Sequence, residues 1–283
     1  DIDHPDERFP KRPLPFRGRD DVTHTAFVAS RTLDFLHRQE GPFLCVSGFY
    51  SPHSPWVVPQ RYLDRYEPET FTLPDFPPDV EAQRGEGHFS DEELRAARHG
   101  YYAMVTEVDH HVGRILDGLA EAGLKDETIV VFTSDHGERL GEFLQYSKGY
   151  PGRDCVSRVP LLVRYPEGLD TPGRRVSEIV EAVDLAPTLL AGAGLPLPGH
   201  LQGTPLLFTP DAETRSSALM EGNGWKTLRT ERYRYVIHED GSERLYDLQA
   251  QHGEYHDVAA EGAYSDALTR LRQRLLRRTL QAE

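Results

Sequence analysis

The order of hydrophobic and polar positions predicts strands separated by helical segments. An unbroken apolar run through 128–132 is typical of a strand buried on both faces of a parallel sheet. Residues 42–49 and 160–165 predict two further strands. Between 42–49 and 128–132, apolar residues recur at helical spacing from the capping box of Ser90 to Gly123. Strand, long crossover with a helix, and strand together predict an α/β fold with a predominantly parallel sheet flanked by helices.

The C-terminal quarter of the chain has a different pattern. Residues 225–237 and 243–248 resemble strands, and the polar sequence at 239–242 is a hairpin turn signal. A final helix is expected over 264–280. We therefore predict a smaller antiparallel sheet with a terminal helix.

Two further helices and one long loop complete the outline. Thr23 is a plausible cap for a helix that reaches about Gln39, and a short helix is expected at 184–191. Residues 51–90 carry many Pro and Gly residues without a sustained period, so we expect a long irregular segment, which is uncommon unless it serves a function. The predicted domains are 1–208, the α/β part, and 209–283, the smaller C-terminal part.

Composition excludes several classes of protein. The 283 residues carry a formal charge of −14, which argues against a nucleic-acid-binding surface. No apolar run is long enough to cross a bilayer, so no membrane span is expected. Two Cys residues give no disulfide framework and leave the localisation unknown. Oligomeric state cannot be deduced. An anionic substrate would need a metal and local cations to offset the negative charge.

Two metal-capable side chains follow the apolar run directly. Asp135 offers a carboxylate and His136 an imidazole, while Gly137 permits a tight turn. Open α/β sheets place their sites at the carboxyl ends of strands, where these residues would emerge. From these residues alone, a solvated Asp and a hydrogen-bonded structural His at a strand end remain an equal alternative.

Several motifs in a fixed order closely resemble the sulfatase family of the alkaline-phosphatase superfamily, from about Thr23 to about Val258. The phrases that carry this resemblance are Pro52-His53-Ser54-Pro55, Ser134-Asp135-His136-Gly137-Glu138, Lys148, Arg158-Val159-Pro160-Leu161, Val183-Asp184-Leu185-Ala186-Pro187-Thr188 and Leu245-Tyr246-Asp247-Leu248.

The resemblance implies an incomplete alkaline-phosphatase-like fold and a metal-dependent sulfuric ester hydrolase. It implies that Asp135 and His136 are metal ligands, and that Lys148 and His53 are catalytic residues that contact the sulfate group. The expected substrate is a small-molecule or carbohydrate sulfate ester. A solvated loop lysine and a loop-bound histidine are the ordinary alternatives for Lys148 and His53.

The family's nucleophile motif, Cys-x-Pro-Ser-Arg or its Ser variant, is absent from the sequence. Its Cys or Ser becomes formylglycine. Cys45 is expected to be a small buried hydrophobe, and Cys155 lies in a sequence that only imitates the motif. Asp20 and Asp21 do not end a buried strand, so they are not assigned as the family's missing metal-binding pair. We therefore expect the later portion of a sulfatase-like protein, with the nucleophile upstream and activity of this segment alone doubtful.

Alternatives remain open both for the identity of the metal and for the reaction. Calcium prefers oxygen ligands, so His136 leaves both Ca²⁺, the first choice, and Mn²⁺ open. The resemblance also admits a phosphonate monoester or phosphodiester hydrolase of the same superfamily, and a catalytically inactive sulfatase-like remnant.

Overall fold

A computed structural model of the chain describes residues 11–84, 89–166, 173–206 and 215–280. These residues fall into two compact units. The first comprises Asp1–Thr128 and Leu140–Gln145, and the second comprises Ile129–Arg139 and Tyr146–Glu283. The predicted domain boundary between 208 and 209 lies outside the described residues and stays a prediction.

The first unit is built around one long helix. Its elements are β1 (Leu14–Pro15), α1 (His24–Leu36), β2 (Val57–Val58), α2 (Gln60–Leu63), α3 (Pro78–Glu81) and α4 (Asp91–Glu121). The two short strands pair in parallel. Helix α4 packs against α1, α2 and β2.

The predicted helix caps of the first unit are confirmed. The Thr23 hydroxyl accepts a hydrogen bond from the Ala26 amide at the start of α1, and the Ser90 hydroxyl accepts one from the Glu93 amide at the start of α4. Helix α4 continues through Gly100 without a break. A Cβ at this position would lie 2.7 Å from the Cβ of Trp56, so Gly100 lets that buried indole pack against the helix.

A buried carboxyl group joins the two long helices. The Thr23 hydroxyl donates to Glu107 Oε1 at 2.7 Å, and only 1% of Glu107 is exposed. Burial raises the pKa of Glu107, although the hydrogen bond from Thr23 acts in the opposite direction. One turn further along α4, burial and the charge of Arg114 lower the pKa of His111 to about 4.

The second unit contains the predicted C-terminal sheet. Its elements are β3 (Val130–Thr133), α5 (Asp154–Ser157), β4 (Leu161–Arg164), α6 (Leu185–Gly192), β5 (Ala218–Gly222), β6 (Trp225–Arg229), β7 (Tyr233–His238), β8 (Glu243–Asp247) and α7 (Ser265–Leu280). Strands β5 to β8 form an antiparallel sheet in sequential order. The apolar face of α7 packs on this sheet through residues that share one core, Leu268, Leu271 and Leu275 with Leu228, Tyr235 and Leu245. The smaller antiparallel sheet with a terminal helix is thus confirmed, and β5 is a strand that the sequence pattern missed.

Three expectations about the α/β part are wrong in detail. Residues 42–49 are not assigned to a strand, because no described segment forms a ladder with them. Cys45 is therefore exposed rather than buried. The residues of β3 are half-buried or exposed, not enclosed on both faces.

The ladder between β3 and β4 is antiparallel, whereas the sequence predicts mainly parallel pairing. Parallel neighbours need a crossover connection, usually a helix of several turns. The segment between these strands contains no long helix, only α5 and the three-residue turn Glu142–Leu144, so the chain can return beside β3 in the opposite direction. Parallel pairing in the described part of the chain is limited to β1 and β2.

A guanidinium inside the second unit binds three groups on two separate segments. Arg234 has no solvent exposure and donates to the Gly152 carbonyl, to Asp154 and, at 2.9 Å, to Glu254 Oε1. Arg229 adds a two-pronged contact to Asp154, with its Nη2 at 2.8 Å from Oδ2. Burial by itself would raise the pKa of Asp154, but the hydrogen bonds and charges of the two arginines outweigh it and lower the pKa.

The buried carboxyl group of Glu107 yields the first prediction. In Glu107→Gln the amide oxygen can still accept from Thr23, while the cost of burying a carboxylate disappears. Because the folded-state pKa is raised, native Glu107 costs stability as the pH rises through that pKa, and the variant should gain about 1 kcal/mol at pH 8. Chemical denaturation at pH 4 and pH 8 measures this, with exposed Glu127→Gln as control. If Glu107→Gln gained more free energy of unfolding at pH 4 than at pH 8, the prediction would be contradicted.

The ion pair of Asp154 yields the second prediction. Asp154→Asn should lower the free energy of unfolding by about 3–5 kcal/mol at pH 7, because it removes one of the two carboxylates that are paired with buried Arg234. A lowered folded pKa contributes stability above the unfolded pKa of about 3.9 and loses it as the pH falls through the folded value. The difference between native and variant protein should therefore shrink below about pH 4. The substitution Asp126→Asn, at an exposed position, is the matched control. If Asp154→Asn lost the same free energy of unfolding at pH 7 and at pH 3, the charge argument would be disproved.

Candidate active site

The turn after β3 places the carboxylate of Asp135 and the imidazole of His136 side by side. His136 Nε2 lies 3.5 Å from Asp135 Oδ2. The side chain of Asp135 is 83% exposed and that of His136 29% exposed. Both groups therefore remain accessible from solvent at the end of the strand, as the sequence predicts.

Local hydrogen bonds fix the orientation of both groups. The Nδ1 of His136 lies 2.9 Å from the Gly137 carbonyl, which can only accept, so Nδ1 carries the proton and Nε2 carries the lone pair that a metal requires. The His136 amide donates to Asp135 Oδ1 at 2.8 Å. Partial burial opposes ionisation of Asp135, but hydrogen bonds from the His136 amide and the Ser134 hydroxyl act in the opposite direction, and the pKa of Asp135 is lowered. The carboxylate is thus in the form that binds cations.

The backbone of this turn is anchored to α5. The Gly137 amide donates to the Val156 carbonyl at 2.7 Å. A Cβ at Gly137 would lie 2.1 Å from the Cys155 carbonyl oxygen, so only glycine permits this approach. Cys155 therefore contributes its backbone to the support of the turn.

The donor atoms fit part of a metal site. A cation whose ligands lie about 2.0–2.6 Å away can contact two atoms that are 3.5 Å apart. One carboxylate oxygen and one imidazole nitrogen suit Mn²⁺ and are tolerated by Ca²⁺. The described residues contain no group of three or more acidic, His or Cys side chains that is placed to hold a metal ion.

Lys148 lies on a loop whose backbone is held on both sides. The Arg139 amide donates to the Ser147 carbonyl at 3.2 Å, and its guanidinium donates to the Tyr150 carbonyl at 2.6 Å. Glu138 accepts from the Ser147 amide. The ammonium itself is exposed and makes no hydrogen bond or ion pair to another residue in the described ranges.

Glu138, Arg139 and Tyr150 are positioning residues that the sequence pattern did not identify. Glu138 and Arg139 follow the Asp135–His136 turn closely in the chain, and Arg139 is 7% exposed. The feature that distinguishes Arg139 is its burial, and burial of an arginine cannot be deduced from the sequence.

His53 belongs to the first unit and is held by its own loop. Its Nδ1 lies 2.6 Å from the Ser54 carbonyl and 2.9 Å from the Tyr50 hydroxyl, and that hydroxyl also donates to Ser54 at 2.7 Å. Because Nδ1 donates to a carbonyl, Nε2 is the lone-pair nitrogen. The structure thus orients His53 as it orients His136, and its place at the site stays a prediction.

Asp184, within another matching motif, has a structural role. It is fully buried and accepts from Arg215 Nη2 at 2.9 Å, the Thr204 amide at 2.9 Å and the Glu181 amide at 2.8 Å. These bonds join the start of α6 to two distant segments of the second unit.

Comparisons with known proteins agree with these motifs. The sulfatase family model matches residues 2–195, and a second model, N-sulphoglucosamine sulphohydrolase, C-terminal, matches residues 141–281. An arylsulfatase of Clostridium perfringens is 28% identical over 93% of this chain and 59% of its own length. An ulvan-active sulfatase of Formosa agariphila is 31% identical over 87% of this chain and 48% of its own length. The chain thus spans about half to three fifths of these relatives.

The fold is shared with solved structures of the superfamily. The crystal structure of a phosphonate monoester hydrolase of Agrobacterium radiobacter superposes with a TM-score of 0.88 and 26% identity, over 99% of this chain and 65% of that chain. This likeness confirms the alkaline-phosphatase-like fold that the sequence predicts. Together with the sulfatase model, which matches more than half of the residues, it leads to one conclusion: the chain belongs to the sulfatase family of the alkaline-phosphatase superfamily.

Proposed function

We propose that this chain forms part of a metal-dependent sulfuric ester hydrolase. The observation that carries the proposal is the Asp135–His136 pair, with its two donor atoms 3.5 Å apart and the protonation of the imidazole set by the Gly137 carbonyl. Membership of the sulfatase family supports sulfate esters as the substrate class. A sulfated carbohydrate is the favoured substrate, since one relative is named an ulvan-active sulfatase.

Each candidate residue has a separate task in this proposal. Asp135 Oδ2 and His136 Nε2 would hold a divalent cation, Ca²⁺ or Mn²⁺. When bound, such a cation polarises a sulfuryl oxygen as a Lewis acid. Lys148 would bind an outer sulfate oxygen through its ammonium group, which offsets the negative charge of the chain at this point.

His53 would donate a proton to the leaving oxygen or a hydrogen bond to the sulfate. For this role its ring must carry a proton on Nε2 in addition to the one on Nδ1. The sequence contains no Cys-x-Pro-Ser-Arg motif, so no nucleophile is assigned to a residue of this chain.

A phosphonate monoester hydrolase is the second candidate. It is favoured by the TM-score of 0.88 to a hydrolase of that name. A panel of an aryl sulfate, an aryl phosphonate monoester and an aryl phosphodiester, assayed on active enzyme that contains this chain, separates the candidates by kcat/KM. The sulfate should have the largest value. A preference for the phosphonate would favour the second candidate, and metal binding without any turnover would indicate an inactive member.

The metal-binding role of Asp135 is tested by substitution. In active enzyme that contains this chain, Asp135→Ala should lower the bound metal and kcat/KM together, because a hard cation loses a charged oxygen ligand. Elemental analysis and turnover measure the two quantities, with Asp126→Asn as control. The isolated 283-residue chain should bind Ca²⁺ or Mn²⁺ only weakly in titration calorimetry. Full metal content in the active Asp135→Ala enzyme would refute the assignment.

Lys148 and His53 should act on the sulfate rather than on the metal. Lys148→Ala should lower kcat/KM by about 10²- to 10³-fold, because a charged donor in the transition state is worth about 2.7–4 kcal/mol. Bound metal should stay constant, and the exposed Lys125→Ala variant should keep normal turnover.

His53→Ala should also lose activity. The loss should be smaller for a nitrophenyl sulfate than for an alkyl sulfate, since a nitrophenolate leaves without a proton. Near-normal turnover in both the Lys148 and the His53 variant would show that these residues are only part of the scaffold.

A further inference from the structure

A groove of about 290 Å³ opens at the hairpin between β5 and β6. Trp225 lines it, together with Glu221, Lys226, His238 and Glu239. None of these residues takes part in the site described above. The groove is wide enough for one ring-sized group, and its chemistry decides which group that is.

The indole of Trp225 is held as a fixed platform. A Cβ on Gly222 would lie 2.2 Å from its Cε2, so the ring lies directly against the bare backbone of the neighbouring strand. The ring of Tyr150 meets it edge-on, with centroids 5.7 Å apart. Trp225 is still half-buried rather than enclosed, which leaves apolar aromatic surface for a ligand.

The groove lies beside the loop of Lys148. Tyr150 is two residues from Lys148, and two consecutive residues span at most about 7 Å. The Tyr150 hydroxyl is 3.1 Å from His238 Nε2, and the two rings are 4.9 Å apart. A substrate whose sulfate contacts Lys148 could therefore extend its organic part toward Trp225.

The charges of the groove select against a second anion. Lys226 is paired with Glu221, and the turn residue Gly224 packs against the carboxylate of Glu239. Two carboxylates and one ammonium leave an excess of one negative charge. Carboxylates accept hydrogen bonds from hydroxyl groups, while they repel sulfates and uronic acids.

An aromatic face next to hydroxyl acceptors fits one chemical class. The C–H face of a sugar ring packs on an indole, and its hydroxyls donate to carboxylates. We propose that the Trp225 groove is the subsite for an uncharged sugar unit attached to the sulfate ester. This inference rests on the proposed function, since it places the organic part of the same substrate.

A binding experiment tests the groove without any turnover. The sequence contains two tryptophans, and Trp56 is 1% exposed, so Trp56→Phe leaves Trp225 as the only indole emitter. Cellobiose, lactose and xylobiose should shift its emission in a saturable way. A glucuronic-acid disaccharide should bind at least fivefold more weakly, and Glu239→Gln should reduce that difference. No saturable shift with any neutral sugar, or equal binding of the acidic one, would overturn the proposal.

If Trp56→Phe does not fold, sugar-induced chemical shifts of Trp225 in the native chain replace the emission measurement. Gly222→Ala is a second perturbation, because its new Cβ displaces the indole without changing any polar group of the groove. It should weaken neutral-sugar binding at least fivefold, and unchanged binding would contradict the platform role.

A kinetic experiment joins the groove to the substrate. In active enzyme that contains this chain, Trp225→Ala should lower the ratio of kcat/KM for a monosulfated neutral disaccharide to that for nitrophenyl sulfate at least tenfold. Trp225→Phe should restore part of the ratio, and Asp126→Asn should leave it unchanged. A constant ratio in Trp225→Ala would refute the subsite. Absence of sulfatase turnover in the native enzyme would instead refute the proposed function, while the binding experiment would still decide the groove.

Discussion

The buried guanidinium of Arg234 is the constraint on which the second unit depends. A charge without solvent contact is tolerated only when hydrogen-bonding partners surround it. Its partners are the Gly152 carbonyl, Asp154 and Glu254, which lie on two segments outside β7. The sheet therefore cannot close its core around Arg234 unless those segments are in place, and this couples formation of the sheet to the ordering of the loops.

The same constraint extends to the candidate active site. Asp154 begins α5, and the Val156 carbonyl in that helix accepts from the Gly137 amide of the Asp135–His136 turn. The Pro151 carbonyl, close to the Lys148 loop, accepts from the buried Thr227 hydroxyl of β6. The Asp135–His136 turn and the Lys148 loop are thus both anchored, through these contacts, to the same sheet. Sites of this kind need their groups held in place before substrate arrives, since reorganisation during the reaction would cost rate.

The sequence predicted the elements whose signals are local. Thr23, the capping residue Ser90 and the leucine face of α7 follow rules that operate within one or two turns of helix. The strand prediction for 42–49 was wrong because an apolar run becomes a strand only when another backbone pairs with it. Such pairing is not a local property of the sequence. The sequence contains one weak signal for the buried ion pair, which is the charge of Arg234 within the otherwise largely apolar strand Tyr233–His238. Its partner Asp154 lies 80 residues away, so the pairing itself could not be predicted.

For the candidate site, the sequence indicated which residues are candidates but not how they are oriented. The order of motifs identified Asp135, His136 and Lys148, whereas the Nδ1 contact of His136 and the bonds that Glu138 and Arg139 make to the Lys148 loop depend on folded backbone. These bonds fix the groups that would meet a tetrahedral anion, whether sulfate or phosphonate. The organic part of a substrate must then be distinguished elsewhere. Because Tyr150 joins the Lys148 loop to the sheet by its contacts with Trp225 and His238, sequence changes at the β5–β6 hairpin can alter that selection while the anion-binding groups stay fixed.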